Sequence, residues 1–407
     1  MDKALKGLFS GRNIGILLHT ASGKNALSYL FTSPVARVEC PYSGNIIRAL
    51  EKIESYCKSG YYAAGYVNFE PGYFLEKKAG HPRVKPDERA LCFGIYKKPK
   101  TYRGLSFEAG IEGKIKGLKP DTGFQAYKKG FNEVKKLIKS GELYQVNYCF
   151  KAGFGYEGGP GPLFSGMLKR QAVEYSAFIR EKDRWVLSFS PELFFSVDKG
   201  RITMKPMKGT LLKPCGPEEL RKFKSCAKTS AENIMIVDMV RNDLGRICGT
   251  RPVKVPALFE VAEYGTLYQM TSTVTGKLRR DAGLADIFRA IFPSGSVTGA
   301  PKIRAMQAIT GLERTDRGIY TGAIGFITPK TKKAVFNIPI RTAVLKGGKG
   351  VMGIGSGIVY DSKAADEYRE CIGKAGFLAG ELQLIESLLY SSEKSFLFDS
   401  HLSRVER

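Results

Sequence analysis

A chain of 407 residues with 43% hydrophobic and 11% aromatic content is long enough for one large domain or two to three ordinary ones, and apolar enough for a sizeable core, which excludes a disordered or fibrous protein. Its 64 Lys and Arg against 39 Asp and Glu leave a formal charge of +25, which suits nucleic acid, an anionic membrane surface or a small anionic substrate. The basic residues are spread along the chain without helix-turn-helix spacing, a zinc-finger pattern or an aromatic RNP-type strand, so no specific nucleic-acid partner is expected.

No apolar run approaches the ~18 residues of a membrane span, and no basic start leads into a long apolar segment, so a cytoplasmic protein with no membrane partner is expected. The eight cysteines are scattered without a C-x-x-C pair, which points to reduced, mostly structural thiols. His19, His81 and His401 lie in unrelated contexts, which argues against a Cys-His or Ser-His triad.

In chain order, Asn13 to Thr20 reads as a first strand, Tyr29 to Cys40 as a second, and Ser43 to Lys58 as an amphipathic helix. Tyr61 to Tyr73 is aromatic and glycine-rich, and Leu91 to Tyr96 is a further strand. The basic, Gly- and Pro-punctuated stretch Lys97 to Lys119 is the expected seam between an N-terminal lobe (1–118) and the remainder (119–380). Tyr127, Phe131, Val134, Leu137 and Ile138 fall at helical spacing up to Gly141, ahead of a strand from Leu143 to Phe150 that carries Gln145. A glycine-rich loop over Gly153 to Pro162 and a helix over Leu163 to Glu174 follow. Ala231 to Leu244 is apolar on nearly every side and reads as a buried helix with Glu232 at its start. Then come strands at Val253 to Val261 and Leu267 to Val274, and a helix at Leu284 to Ile291. A loop spans Pro293 to Gly299, and a helix opens at Pro301. Tyr320 to Ile327, Ala334 to Leu345 and Val351 to Val359 read as successive antiparallel strands, and a last helix starts at Ser362.

The stretch from Arg184 to Thr210 reads as a β-hairpin turning at Asp198-Lys199-Gly200. A turn centred on Gly200 pairs residues whose numbers sum to 400, so Glu192 faces Lys208, Phe194 faces Pro206 and Ser196 faces Met204. On that register Lys208 shares a partly apolar face with Ile202 and Met204, which disfavours the ammonium and suits a nucleophile. The same pairing also describes a solvated cross-strand ion pair, and a one-residue slip would part the two side chains.

Three further constellations can carry chemistry. The loop Ser294-Gly295-Ser296-Val297-Thr298-Gly299-Ala300-Pro301-Lys302 sets amides and hydroxyls against a helix start, a ready anion site that lacks the ending of a P-loop. Glu367, Glu370 and Lys374 share one side of the last helix; a surface pair is their ordinary reading, yet Glu232 and Glu370 together supply the one or two carboxylates that Mg²⁺ takes from a protein. Arg341 stands in an apolar strand, either as an edge arginine or as the partner of a buried anion.

These motifs, with Gly141-Glu142-Leu143-Tyr144-Gln145-Val146-Asn147, Ser190-Pro191-Glu192, Pro206-Met207-Lys208-Gly209-Thr210, Arg241-Asn242-Asp243-Leu244-Gly245-Arg246, Ile340-Arg341-Thr342 and Glu367-Tyr368-Arg369-Glu370, resemble those of the chorismate-utilising enzymes, within them the aminodeoxychorismate synthase branch. The resemblance implies an α/β (α+β) fold of two large, mostly antiparallel sheets packed face to face with helices outside. It also implies conversion of chorismate and ammonia to 4-amino-4-deoxychorismate, toward 4-aminobenzoate and folate. The alternatives are anthranilate synthase component I and an inactive chorismate-fold binding subunit.

By the same resemblance Lys208 is the nucleophile and Glu192 the general acid. Glutamine at 145 replaces the lysine base of the members that use water, and lysine at 208 replaces the usual alanine of anthranilate synthases. Glu232 and Glu370 hold Mg²⁺ with Glu367 acting through water. Thr298, Gly299, Tyr320, Arg341, Gly355, Gly357 and Lys374 match substrate-binding positions. Thr229 and Gln269 depart from the family pattern, which has an acid and in some members a histidine there. A glutamine amidotransferase subunit is the implied ammonia source. The tail from Glu381 to Arg407 resembles the opening of an aminodeoxychorismate lyase.

Overall fold

The computed structural model describes residues 2–20, 26–105, 107, 113–170, 173–213, 215–249, 253–264, 267–376, 378, 390–391 and 394–395. The lyase-like tail, apart from the short ladder Tyr390–Ser391 with Lys394–Ser395, lies outside the described residues.

Two ten-stranded sheets dominate. Across the first, the strands run in the order Gly299–Ala300, Gln145–Glu157, Lys349–Ile358, Thr342–Lys346, Trp185–Ser190, Tyr175–Arg180, Gly15–His19, Leu27–Thr32 and Lys100–Arg103, with Lys114–Pro120 also on Gln145–Glu157. Across the second, the order is Met207–Leu212, Leu267–Lys277, Arg201–Met204, Leu193–Asp198, Lys333–Asn337, Ala323–Ile327, Tyr62–Val67, Arg89–Tyr96 and Ala36–Pro41, with Lys254–Tyr264 also on Leu267–Lys277. Residues on both sides of position 118 therefore supply strands to both sheets.

Apolar side chains of period two stack the sheets face to face. Ile16, Phe31, Ile179 and Val186 of the first meet Tyr66, Tyr96, Ile324 and Phe326 of the second in one buried layer. The outer faces are covered by helices. On the second sheet, Leu50 and Ile53 of Ile46–Lys58, Ile236 and Val240 of Ala227–Gly245, and Phe288 of Leu284–Ile291 pack with Phe195 and Phe336. On the first, Tyr127 and Phe131 of Phe124–Lys139, Phe164 of Pro160–Arg170, Met306 of Lys302–Leu312 and Cys371 of Ala364–Gly376 pack with Phe178 and Phe189. This is the expected architecture.

The differences from the sequence reading are local. Tyr29 to Cys40 and Ala334 to Leu345 are each two strands in different sheets, because Pro34 and Pro339 have no N–H for a ladder and Ser33 (φ 55°) and Arg341 (φ 52°) turn the chain across. Gly153 to Pro162 is not a loop throughout, since Gln145–Glu157 continues pairing as far as Gly155 with Lys349. The helix Ala227–Gly245 buries Asn233, Ile236, Val237, Val240 and Leu244 but leaves Ile234 47% exposed, so it is buried on one side only.

The hairpin register also differs by one. Ser196 pairs with Thr203, Val197 with Ile202 and Asp198 with Arg201, because Lys199 (φ 48°) and Gly200 (φ 76°) form a two-residue turn of the kind that matches strand twist. Beyond Met204 the chain forms no further rung with Leu193–Asp198, but it keeps its register on Leu267–Lys277, Met204 opposite Val274 and Met207 opposite Thr271. Glu192 and Lys208 are thus not cross-strand neighbours; the tertiary fold brings them together.

Candidate active site

Glu192 sits where the chain passes from the first sheet, at Ser190, to the second, at Leu193. Its own N–H donates to Ser190 Oγ (3.1 Å), Ser190 Oγ donates to the Ile338 carbonyl (2.6 Å), and the Ile338 N–H donates to the Glu192 carbonyl (3.1 Å). The backbone is thereby held and the carboxyl is left facing inward, 96% buried given its 4% exposure. Ser296 donates to its Oε1 at 2.7 Å. Burial pushes the carboxyl up to about 7, against the Ser296 hydroxyl, the Lys208 charge and the Met207 amide, which favour the anion. A carboxyl poised near neutrality is suited to proton donation.

Lys208 lies on Met207–Leu212, at the edge of the second sheet. Burial lowers its ammonium below the usual value and Lys374 adds to that, while Glu232, Glu192 and Glu370 pull the other way. Four charged side chains from three different segments therefore converge on one lysine. Gly357 of the first sheet faces it: a Cβ there would stand 3.3 Å from Lys208 Nζ and 2.9 Å from Gln145 Nε2. Gln145 is fully buried, and among the described residues neither its Nε2 nor its Oε1 has a hydrogen-bond partner. An unsatisfied buried carboxamide beside an amine marks a place where a polar ligand completes the bonding.

On the last helix Glu370 pairs with Lys374 (2.6 Å), whose Nζ also donates to the Gly355 carbonyl (2.9 Å). Glu367 accepts from Ser362 Oγ (2.7 Å) at the helix start. Among the described residues no three His, Cys, Asp or Glu side chains form a group able to hold a metal ion, so the site offers carboxylates from separate elements instead of a closed cage.

The sequence profile of chorismate binding enzymes matches residues 112–380, the stretch that carries all of these side chains. The chain belongs to that family. Aminodeoxychorismate synthase component 1 of Salmonella typhimurium is 37% identical over 261 residues, 63% of this chain and 57% of that protein. Aminodeoxychorismate synthase of Streptomyces griseus is 38% identical over 273 residues, 66% of this chain and 37% of that protein. Anthranilate synthase component 1 of Pseudomonas aeruginosa is 34% identical over 278 residues, 67% of this chain and 56% of that protein. The chain thus spans less than two thirds of each of these relatives. The crystal structure of anthranilate synthase component I from Streptococcus pneumoniae superposes with a TM-score of 0.78 at 25% identity, covering 88% of this chain and 93% of that one.

In this chorismate binding enzyme the remaining candidate residues divide by role. Arg341 lies on the second crossing between the sheets, where its carbonyl accepts from the Phe189 N–H (3.1 Å). Burial lowers its guanidinium to about 10, and no ion pair to it occurs among the described residues. A guanidinium in this setting has a planar fork of donors that fits a carboxylate. Tyr320 is buried, its ring lying 2.3 Å from where a Cβ on Gly353 would be, and it bonds the Cys149 thiol, which packs against Gly355. Thr298 turns its hydroxyl inward to the Ser294 carbonyl (2.9 Å), and its own carbonyl accepts from the Asn147 N–H (2.7 Å). Gly299 (φ 149°) lies flat on the Gln145 backbone, where a Cβ would be 2.2 Å from the Gln145 carbonyl oxygen. Both therefore hold the loop against the strand Gln145–Glu157. Thr229 packs on Gly209, beside Lys208, with its methyl 2.3 Å from a Cβ placed there.

Sequence reasoning did not single out Arg317 and Glu313. Their spacing of four in Glu313-Arg314-Thr315-Asp316-Arg317 reads as a surface helix pair, yet both are buried.

Proposed function

We propose that this chain converts chorismate and ammonia to 4-amino-4-deoxychorismate. The observation that carries the reading is Lys208: an amine with its ammonium disfavoured by burial, close to the proton-bearing Glu192 and to the unsatisfied Gln145. The Lys208 amine attacks C2 of chorismate, both ring double bonds shift, the C4 hydroxyl leaves as water on taking the Glu192 proton, and the newly bonded nitrogen returns a proton to the Glu192 carboxylate. Ammonia then adds at C4, both double bonds shift back, the Lys208 nitrogen departs from C2 as an amine on taking the Glu192 proton, and the new C4 ammonium returns a proton to Glu192. Gln145 bears no base that would activate water, which favours the amine nucleophile. Arg341 is the assigned partner of the enolpyruvyl carboxylate, with Tyr320 and the Gly355 and Gly357 amides beside it.

Mg²⁺ is the expected metal, and Glu232 and Glu370, two hard anionic donors that both act on Lys208, suit an ion that takes one or two carboxylates and leaves its other positions to water and substrate. Glu367 is assigned a water-mediated place. When bound, the ion supplies positive charge against the ring carboxylate. Ammonia is assigned to a glutamine amidotransferase subunit.

The similarity to anthranilate synthases makes anthranilate formation the competing reading, and Lys208 is the residue that speaks against it. Purified protein incubated with chorismate, Mg²⁺ and ammonium decides: 4-amino-4-deoxychorismate in the chromatogram supports the proposal, and fluorescent anthranilate overturns it.

A further inference from the structure

Arg317 is buried, 5% exposed, and all five of its N–H donors are engaged. Nε and Nη2 grip Glu313 (2.9 and 2.7 Å). Nη1 donates to the Val297 carbonyl (2.7 Å) and Thr321 Oγ1 (3.3 Å), and Nη2 to the Asn147 carbonyl (2.7 Å). The Phe69 ring covers the guanidinium, with its centroid 4.4 Å from Cζ. Glu313 Oε1 also accepts the Cys149 N–H (2.9 Å), and Glu70 Oε1 accepts the Arg317 N–H (2.6 Å).

The carbonyls chosen are not arbitrary. Val297 follows Ser296, the hydroxyl donor to Glu192. Asn147 lies two residues after Gln145 on the same strand, and Thr321 follows Tyr320. One guanidinium, neutralised by Glu313, thus ties together three segments far apart in sequence that carry site residues, with none of its own atoms reaching Glu192 or Lys208. Surface arginine pairs do not use five fixed bonds in a dry setting, and a lysine could not reproduce them, having three donors at one point instead of a planar fork.

We propose that Arg317 is a positioning residue for the proton donor: by holding the Val297 carbonyl it fixes the Ser296 hydroxyl on Glu192, and so sets which protonation state Glu192 adopts. The proposal rests on the reading of Glu192 as the acid, but its mechanical part is measurable without turnover. Lys208 is the charged side chain facing Glu192, with Glu232, Glu370 and Lys374 acting on Lys208 in turn, and these stay unchanged in the variants below. Around Arg317 the ionisable groups are Glu313, Glu70, Asp316, Cys149 and Tyr320.

The test is the titration midpoint of Glu192, read by carbon-13 NMR of carboxyl-labelled glutamate in the full chain and assigned by the signal lost in Glu192→Gln. Ser296→Ala removes a bond that favours the anion, so the midpoint moves up. Arg317→Lys moves it up as well, and Arg317→Lys combined with Ser296→Ala moves it no further than Ser296→Ala alone. An unmoved midpoint in folded Arg317→Lys, or shifts that add in the double variant, overturns the proposal. Should Arg317→Lys not fold, Glu313→Gln carries the same expectation, and an unmoved midpoint there is equally decisive. A product other than 4-amino-4-deoxychorismate would overturn the functional reading and leave this titration result standing.

Discussion

Gly357 and Lys208 face each other across the two sheets at a distance that leaves no room for a methyl group without displacement: a Cβ at 357 would lie 3.3 Å from the lysine nitrogen and 2.9 Å from Gln145 Nε2. The atoms in the way are flexible side-chain ends, so Gly357→Ala should fold with nearly native thermal stability. Its kcat/KM for chorismate should fall about a hundredfold, since a misplacement of about 1 Å costs that much in an oriented site. Steady-state kinetics beside a melting curve check this, and a variant with unchanged kinetics would show that the gap is not where substrate reacts.

Lys208 should become covalently bonded to substrate. Chorismate and Mg²⁺ without ammonia should leave a substrate-derived mass on the peptide containing Lys208, and Lys208→Ala should never show it. Loss of activity alone does not decide, because removing the cation also disturbs Glu192 and Glu232. An unmodified peptide under trapping conditions that capture a known lysine adduct would defeat the covalent step.

The pH dependence follows from Glu192, whose ordinary value of 4.5 is raised to about 7. As the acid it must be protonated, so kcat/KM should decline as pH rises through about 7, and Glu192→Gln should lower kcat/KM by about 10²- to 10⁴-fold and abolish that limb. The stability effect has a matching sign. The folded protein binds this proton more tightly than the unfolded chain, so the contribution is fully present below 4.5 and is lost as pH rises through about 7. Denaturant titrations of Glu192→Gln between those two values should show a flatter pH dependence than the parent.

Arg341 should act on binding. Replacing its fork by lysine loses a paired, charge-assisted contact of about 1.5–3 kcal/mol, so Arg341→Lys should raise KM for chorismate by roughly ten- to a hundredfold with a smaller change in kcat. A change confined to kcat would move Arg341 from carboxylate binding to another role.

For the metal, Glu232→Gln or Glu370→Gln should abolish Mg²⁺-dependent turnover while the fold, read by circular dichroism, persists. Glu370→Gln also frees Lys374, now 2.6 Å from the carboxylate, so the double variant Glu370→Gln with Lys374→Met separates metal binding from the loss of the ion pair. Full activity in either single variant removes that carboxylate from the metal site.

What the amino-acid sequence by itself determined was whatever depends on local period and on residue identity at a motif. The helices Phe124–Lys139 and Leu284–Ile291 were readable because Tyr127, Phe131, Val134 and Ile138, and likewise Leu284, Ile287, Phe288 and Ile291, recur at the spacing of one buried face. The strand alternation, and the chemistry implied by Glu192, Gln145 and Lys208, were equally local. Only the tertiary structure decided where an apparently continuous strand changes sheet. Pro34 and Pro339 interrupt Tyr29 to Cys40 and Ala334 to Leu345, but that the chain passes there from one sheet to the other, with Ser33 and Arg341 at positive φ, is seen only in the fold. It also decided how Glu192 meets Lys208. The hairpin arithmetic placed them by a register that the two-residue turn at Lys199-Gly200 shifts by one and whose rungs end at Ser196 with Thr203; what keeps them close is the second sheet, where Leu267–Lys277 carries Lys208 onward and the Met207 N–H reaches the Glu192 carboxylate. Arg317 shows the same limit most sharply: four-residue spacing from an acid describes a solvated helix pair and a buried strut equally well, and what separates them is the carbonyls of Asn147 and Val297, brought within reach from 170 and 20 residues away.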